Sequence, residues 1–68
     1  MAKKKEFEPY EVEVEIEDLN IRTGPGYQYD RTGKFTGAGT FTIVDERNGF
    51  GKLRAGAGWI CLDFCRKV

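Results

Sequence analysis

An all-β fold, a small closed or partly closed barrel of five to seven short strands, is what this sequence predicts, and three observations carry the prediction. From Tyr10 to Glu17 apolar and acidic residues alternate strictly, the period of a half-buried strand. Downstream, short runs rich in β-branched and aromatic residues are punctuated by glycine turns, Asn48-Gly49 among them. No segment sustains helical periodicity between recognisable caps.

Taken in order, residues 1–9 read as a disordered leader or linker end, and residues 10–68 as the domain. In the first strand Tyr10, Val12, Val14 and Ile16 share the core face. Glu11, Glu13, Glu15 and Glu17 share the other, read as a solvated face whose like charges discourage edge-to-edge pairing. Leu19 to Arg22 is the second strand, with Leu19 and Ile21 inward and Asn20 and Arg22 outward. Residues 23–37 hold too many turn formers for a long regular element and read as a long ordered loop after strand two, anchored by Tyr27, Tyr29 and Phe35. Thr40 to Asp45 is a strand by its β-branched and aromatic content. Asn48-Gly49 turns it into a return strand from Phe50 to Arg54, because both residues tolerate positive φ. Residues 55–58 turn again into Trp59-Ile60-Cys61. Leu62-Asp63-Phe64 suits a single 3-10 turn before a closing strand at Cys65 to Val68.

With 68 residues the chain buries only about 60% of its unfolded surface, so its stability is expected to be a few kcal/mol, with little room for a deep pocket. No apolar run approaches the roughly 18 residues of a membrane span, so membrane insertion is not expected. The basic start Met1 to Lys5 leads into Glu6-Phe7-Glu8-Pro9 without an apolar stretch, so it does not read as a signal peptide. Action outside a cell would then need export by other means, or lysis. The net charge is zero, but residues 1–20 carry three lysines against seven acids, while residues 21–68 carry eight basic residues against four acids. The basic residues look scattered in sequence, which argues against a nucleic-acid partner.

The chain has no histidine, so no Ser-His or Cys-His nucleophile can be assembled and the domain is not expected to be an enzyme. Cys61 and Cys65 alone cannot complete a zinc site, and neither metal nor cofactor is expected. A disulfide between them closes too short a loop to stabilise much, so free thiols are the preferred reading.

Leu19-Asn20-Ile21-Arg22-Thr23-Gly24-Pro25-Gly26, the Thr42-Ile43-Val44 strand, Asn48-Gly49-Phe50 with Lys52-Leu53, and Gly58-Trp59-Ile60 together resemble the bacterial Src-homology-3-type domains over about residues 10–68. The ending Gly-Trp-Ile-x-Leu-Asp-Phe resembles the cell-wall-targeting tails of phage and clostridial-type peptidoglycan hydrolases. Phe50 stands where a tryptophan is common in that family, and Cys61 and Cys65 where small polar or apolar residues are more usual. The resemblance implies an SH3-like barrel and a non-catalytic module that binds the peptide stem or cross-bridge of peptidoglycan. It would tether an attached hydrolase to its substrate, at the wall, outside the cell that made it, and be monomeric as an isolated domain. The alternative is a protein-interaction or scaffold module that accepts a peptide.

Aromatic faces with a few oriented polar groups suit such a ligand, and Asn20, Arg22, Tyr27, Tyr29, Phe50, Trp59 and Asp63 are the candidates. Arg22 is placed to fork onto a stem-peptide carboxylate, and Asp63 or Asp30 to meet a free amine. Duller roles stand beside these. Trp59 and Phe50 also suit a core, Asn20 and Arg22 also suit loop bracing, and Tyr27 and Tyr29 face opposite ways on an extended backbone. Tyr29 is narrowly preferred as the groove residue.

Overall fold

A computed structural model of the chain describes residues 7–68. Most of the expected leader, residues 1–6, lies outside the described residues. Seven antiparallel strands form one sheet: β1 (Tyr10–Val14), β2 (Asn20–Arg22), β3 (Arg31–Phe35), β4 (Gly39–Arg47), β5 (Phe50–Leu53), β6 (Trp59–Cys61) and β7 (Cys65–Lys67). A 3-10 turn, Leu62–Phe64, joins β6 to β7 as the sequence suggests. The strand order is β3-β2-β6-β5-β4-β1-β7.

The apolar pattern explains why this sheet curls. Val12 and Val14 of β1 share one buried cluster with Leu19 and Ile21 beside and within β2, and with Ile43, Leu53 and Ile60. In the flat order β1 and β2 stand far apart. Only a sheet wrapped on itself brings their inner faces together. Ile43 and Ile60 are fully buried, and each such side chain stabilises the fold by about 1.5–3 kcal/mol relative to exposure.

Strand β4 makes the bend. Its first half pairs with β1, from Val14 opposite Gly39 to Tyr10 opposite Ile43, and its second half pairs with β5, from Ile43 opposite Leu53 to Arg47 opposite Phe50. The register shifts between Ile43 and Asp45, and an irregularity of this kind bends a strand and increases its twist. The β4–β5 connection is the predicted two-residue turn, with Asn48 at φ 54° and Gly49 at φ 80°. Both positive angles match the twist of the flanking strands.

Three expectations are corrected. First, β1 stops at Val14 rather than Glu17, and Ile16 is exposed instead of joining the core. Second, the glutamate strand is not an edge. It lies between β4 and β7, and Glu13 sits opposite Arg66, whose guanidinium pairs with both Glu13 and Glu15. Cross-strand charge pairing, not repulsion of a neighbour, is what that face does. Third, the long loop after strand two contains β3. The sequence Arg31-Thr32-Gly33-Lys34-Phe35 has no apolar alternation and every residue is exposed. This strand exists because β2 offers it hydrogen bonds, with Thr23 donating its amide to Asp30 at 2.9 Å and Thr36 to Leu19 at 3.1 Å at the two ends. Its Arg31 and Lys34 are the kind of charged residues that protect an exposed edge.

Candidate functional site

The segment between β2 and β3, residues 23–30, folds over the outer face of β5 and β6. It is compact because its backbone turns twice: the Gly26 amide donates to Gly24 across Pro25 at 3.0 Å, and the Tyr29 amide to Gly26 at 3.2 Å. Arg22 braces it from β2. Its Nη1 donates to the carbonyls of Tyr27 and Tyr29, at 3.3 and 2.9 Å, and its guanidinium carbon lies 5.0 Å from the centre of the Tyr27 ring. Arg22 therefore holds the loop by hydrogen bonds and by cation–π attraction together.

Tyr27 is exposed at 62% and still fixed. Its ring meets Phe50 edge-on, with centroids 5.1 Å apart and planes at 80°. Its hydroxyl lies 3.1 Å from the Cys61 sulfur, either atom serving as donor. That contact with Cys61 is the main cause that raises the Tyr27 phenol above its ordinary pKa, while Arg22 pulls the other way. Phe50 and Cys61 sit opposite each other on β5 and β6, and both are buried beneath the loop.

A groove of about 400 Å³ opens between this loop and the β4–β5 turn, bounded by Pro25, Tyr27, Gln28, Asn48, Phe50 and Asp63. Asn48 donates its side-chain amide to the Pro25 carbonyl at 3.2 Å, and the Leu62 amide donates to Gly49 at 2.9 Å. The turn is thus tied to both walls. Among the described residues, Asp63 is the only charged side chain lining the groove. A larger depression of about 460 Å³ between the β3 end, the start of β4 and residues 54–57 is lined by Ile21, Phe35, Phe41 and Leu53 among others, and holds none of the predicted residues.

Of the sequence candidates, Tyr27, Phe50 and Asp63 line the groove, and Arg22 supports it from behind. Trp59 lies on the same outer face, next to Arg22 and Lys52 in register, outside the groove itself. Asn20 faces Phe35 across β2 and β3, also outside it. The narrow preference for Tyr29 over Tyr27 is reversed. The Tyr29 ring lies against Gly24 so closely that a Cβ there would overlap it, so Tyr29 packs the loop while Tyr27 lines the groove. Asn48, Gln28 and Cys61 were missed. The Asn-Gly signal located the turn, but nothing in sequence says that the Asn48 amide crosses to Pro25.

Both cysteines are free thiols. Cys65 donates its thiol to the Cys61 carbonyl at 3.5 Å, and burial, with the neighbouring Cys61, pushes its pKa up to about 11. Burial, and then the 2.6 Å hydrogen bond to Glu46, push Tyr10 up to about 12. Both groups are raised in the folded state above ordinary values of 9.0 and 10.0. Each favours folding while protonated in both states, and that contribution is lost as pH rises through the folded values. The urea midpoint is therefore expected to be level up to about pH 9 and to fall between about pH 9 and 12. Iodoacetamide should also label native Cys65 far more slowly than the unfolded chain at pH 8. A midpoint that rises over that alkaline range would contradict the assignment.

Comparison of the chain with family models, with curated proteins and with solved structures returned no match.

Proposed function

We propose that this domain is a non-catalytic binding module of the bacterial Src-homology-3 type, whose groove takes a short peptide of the peptidoglycan stem or cross-bridge and so holds an attached hydrolase at the wall. One observation carries the reading: an exposed aromatic ring, Tyr27, is held over a groove by three separate partners, Arg22, Phe50 and Cys61. An exposed ring that is already ordered gives up little conformational entropy when a ligand covers it. That arrangement suits an extended peptide, with Phe50 as an apolar floor and Asp63 placed for a free amine. The sequence resemblance adds the wall as the source of the peptide.

Sedimentation with purified peptidoglycan tests the reading directly. The domain is expected to pellet with walls of at least some Gram-positive species and to be displaced by soluble muropeptides. A folded domain that stays in the supernatant with every wall tried, while binding unrelated proline-rich or extended peptides, would favour the protein-interaction reading.

A further inference from the structure

The basic residues look scattered in the sequence, but the sheet gathers several of them. Register places Arg31 opposite Arg22, Arg22 opposite Trp59, Trp59 opposite Lys52, and Lys52 opposite Asp45. Directly opposed residues project from the same face of a sheet. Ile21, Ile60 and Leu53, which alternate with them along the strands, are all buried inside, so the row crosses the outer face. At a strand spacing of about 4.8 Å it runs roughly 19 Å across five strands.

Arg31 and Lys52 are exposed, and Arg22 and Trp59 are half-buried. Among the described residues neither Arg31 nor Lys52 is paired with a carboxylate. Asp45, at the end of the row, is engaged by Arg47 at 3.6 Å and by the Glu46 amide at 2.8 Å. Two arginines placed directly opposite each other repel and so weaken the sheet. Arg22 offsets its share of that cost by bracing the Tyr27 loop, whereas Arg31 makes no such contact among the described residues, and a local cost left without a structural return is a mark of function.

We propose that this row binds a linear phosphodiester-linked polyol, the anionic type of polymer that accompanies peptidoglycan in many bacterial walls. The inference rests on the wall-binding reading and extends it, because Arg22 is shared between the strip and the Tyr27 loop. The Arg31 guanidinium, not engaged by the loop, matches phosphate oxygens as a planar fork, and Lys52 adds a point charge on the far side of Trp59. Trp59 gives the carbon chain between phosphates an apolar surface. A single-stranded nucleic acid fits less well, since its binders stack successive bases on several aromatic platforms, and this row has one half-buried ring.

The chain has one tryptophan, so Trp59 fluorescence reports on the strip. Titration with soluble poly(glycerol phosphate) at low salt is expected to change that fluorescence. The affinity should fall on the order of tenfold between about 50 and 200 mM salt, as the two phosphate contacts of Arg31 and Lys52 require. An Arg31→Gln/Lys52→Gln double variant should lose most of both the affinity and the salt dependence. That variant should still sediment with polymer-stripped peptidoglycan as the parent does. No binding at low salt, an undiminished double variant, or an oligothymidylate of equal charge that binds as tightly as the polymer would each overturn the proposal. Loss of parent binding to polymer-stripped peptidoglycan would strike the groove reading instead, and the two failures are read in separate arms.

Discussion

Gly58→Ala is expected to unfold most of the domain at room temperature, or to cost on the order of 3–5 kcal/mol where it can still be measured. Two effects add. Gly58 adopts a φ of 139°, which a side chain makes unfavourable by about 1–3 kcal/mol. A Cβ at this position would also stand 2.5 Å from the carbonyl oxygen of Arg22 and 2.7 Å from the Ile21 side chain. The first neighbour is backbone and cannot rotate away. Relief would have to come from separating β6 from β2, which meet at a single register pair, Arg22 with Trp59. Overpacking of this kind adds about 1–3 kcal/mol, and the sum rivals the whole stability of so small a domain. Gly56 gives the control. It has a φ of 81° with open space around it, so Gly56→Ala should cost only about 1 kcal/mol. Urea denaturation of the two variants measures the difference. Equal midpoints would show that the contact with Arg22 does not matter.

Tyr27→Ala is expected to reduce binding to a soluble peptidoglycan fragment by about thirtyfold, a loss near 2 kcal/mol, while the domain stays folded. The ring is largely exposed, so its removal takes little from the core. The fold gives up one aromatic pair with Phe50, worth about 0.5–1.5 kcal/mol. Tyr27→Phe keeps the ring and removes only the hydroxyl contact with Cys61, so its affinity should stay within a few-fold of the parent. Calorimetric titration of the three proteins, with circular dichroism as the folding control, checks both statements. A folded Tyr27→Ala variant with unchanged affinity would take the groove out of consideration.

The elements that could be read in sequence are those where side-chain pattern and backbone demand coincide. Tyr10 to Val14 alternates because one face is core. Asn48-Gly49 announces a hairpin because few other pairs accept two positive φ angles. Strand β3 was hidden for the opposite reason: all its residues are exposed, so it leaves no apolar period, and its existence depends on a partner strand far enough away to be invisible locally. The candidate site divides in the same way. Tyr27, Phe50 and Asp63 were visible as residue types, but which tyrosine lines the groove was decided by the close approach of Tyr29 to Gly24. The basic row on the outer face was not legible at all. It is assembled by register across four strand pairings, and register is a tertiary property.

The placement of β1 between β4 and β7 bears on the order in which the chain assembles. The β4–β5 hairpin closes across two residues, whereas β1 and β7 join partners such as Glu13 and Arg66, which are 53 positions apart. Closing the longer loop costs roughly 2–3 kcal/mol more chain entropy than closing the short one. On that chain-entropy argument the hairpin is the expected nucleus, and the β1–β7 seam, held on its outer side by exposed ion pairs, is expected to zip after it.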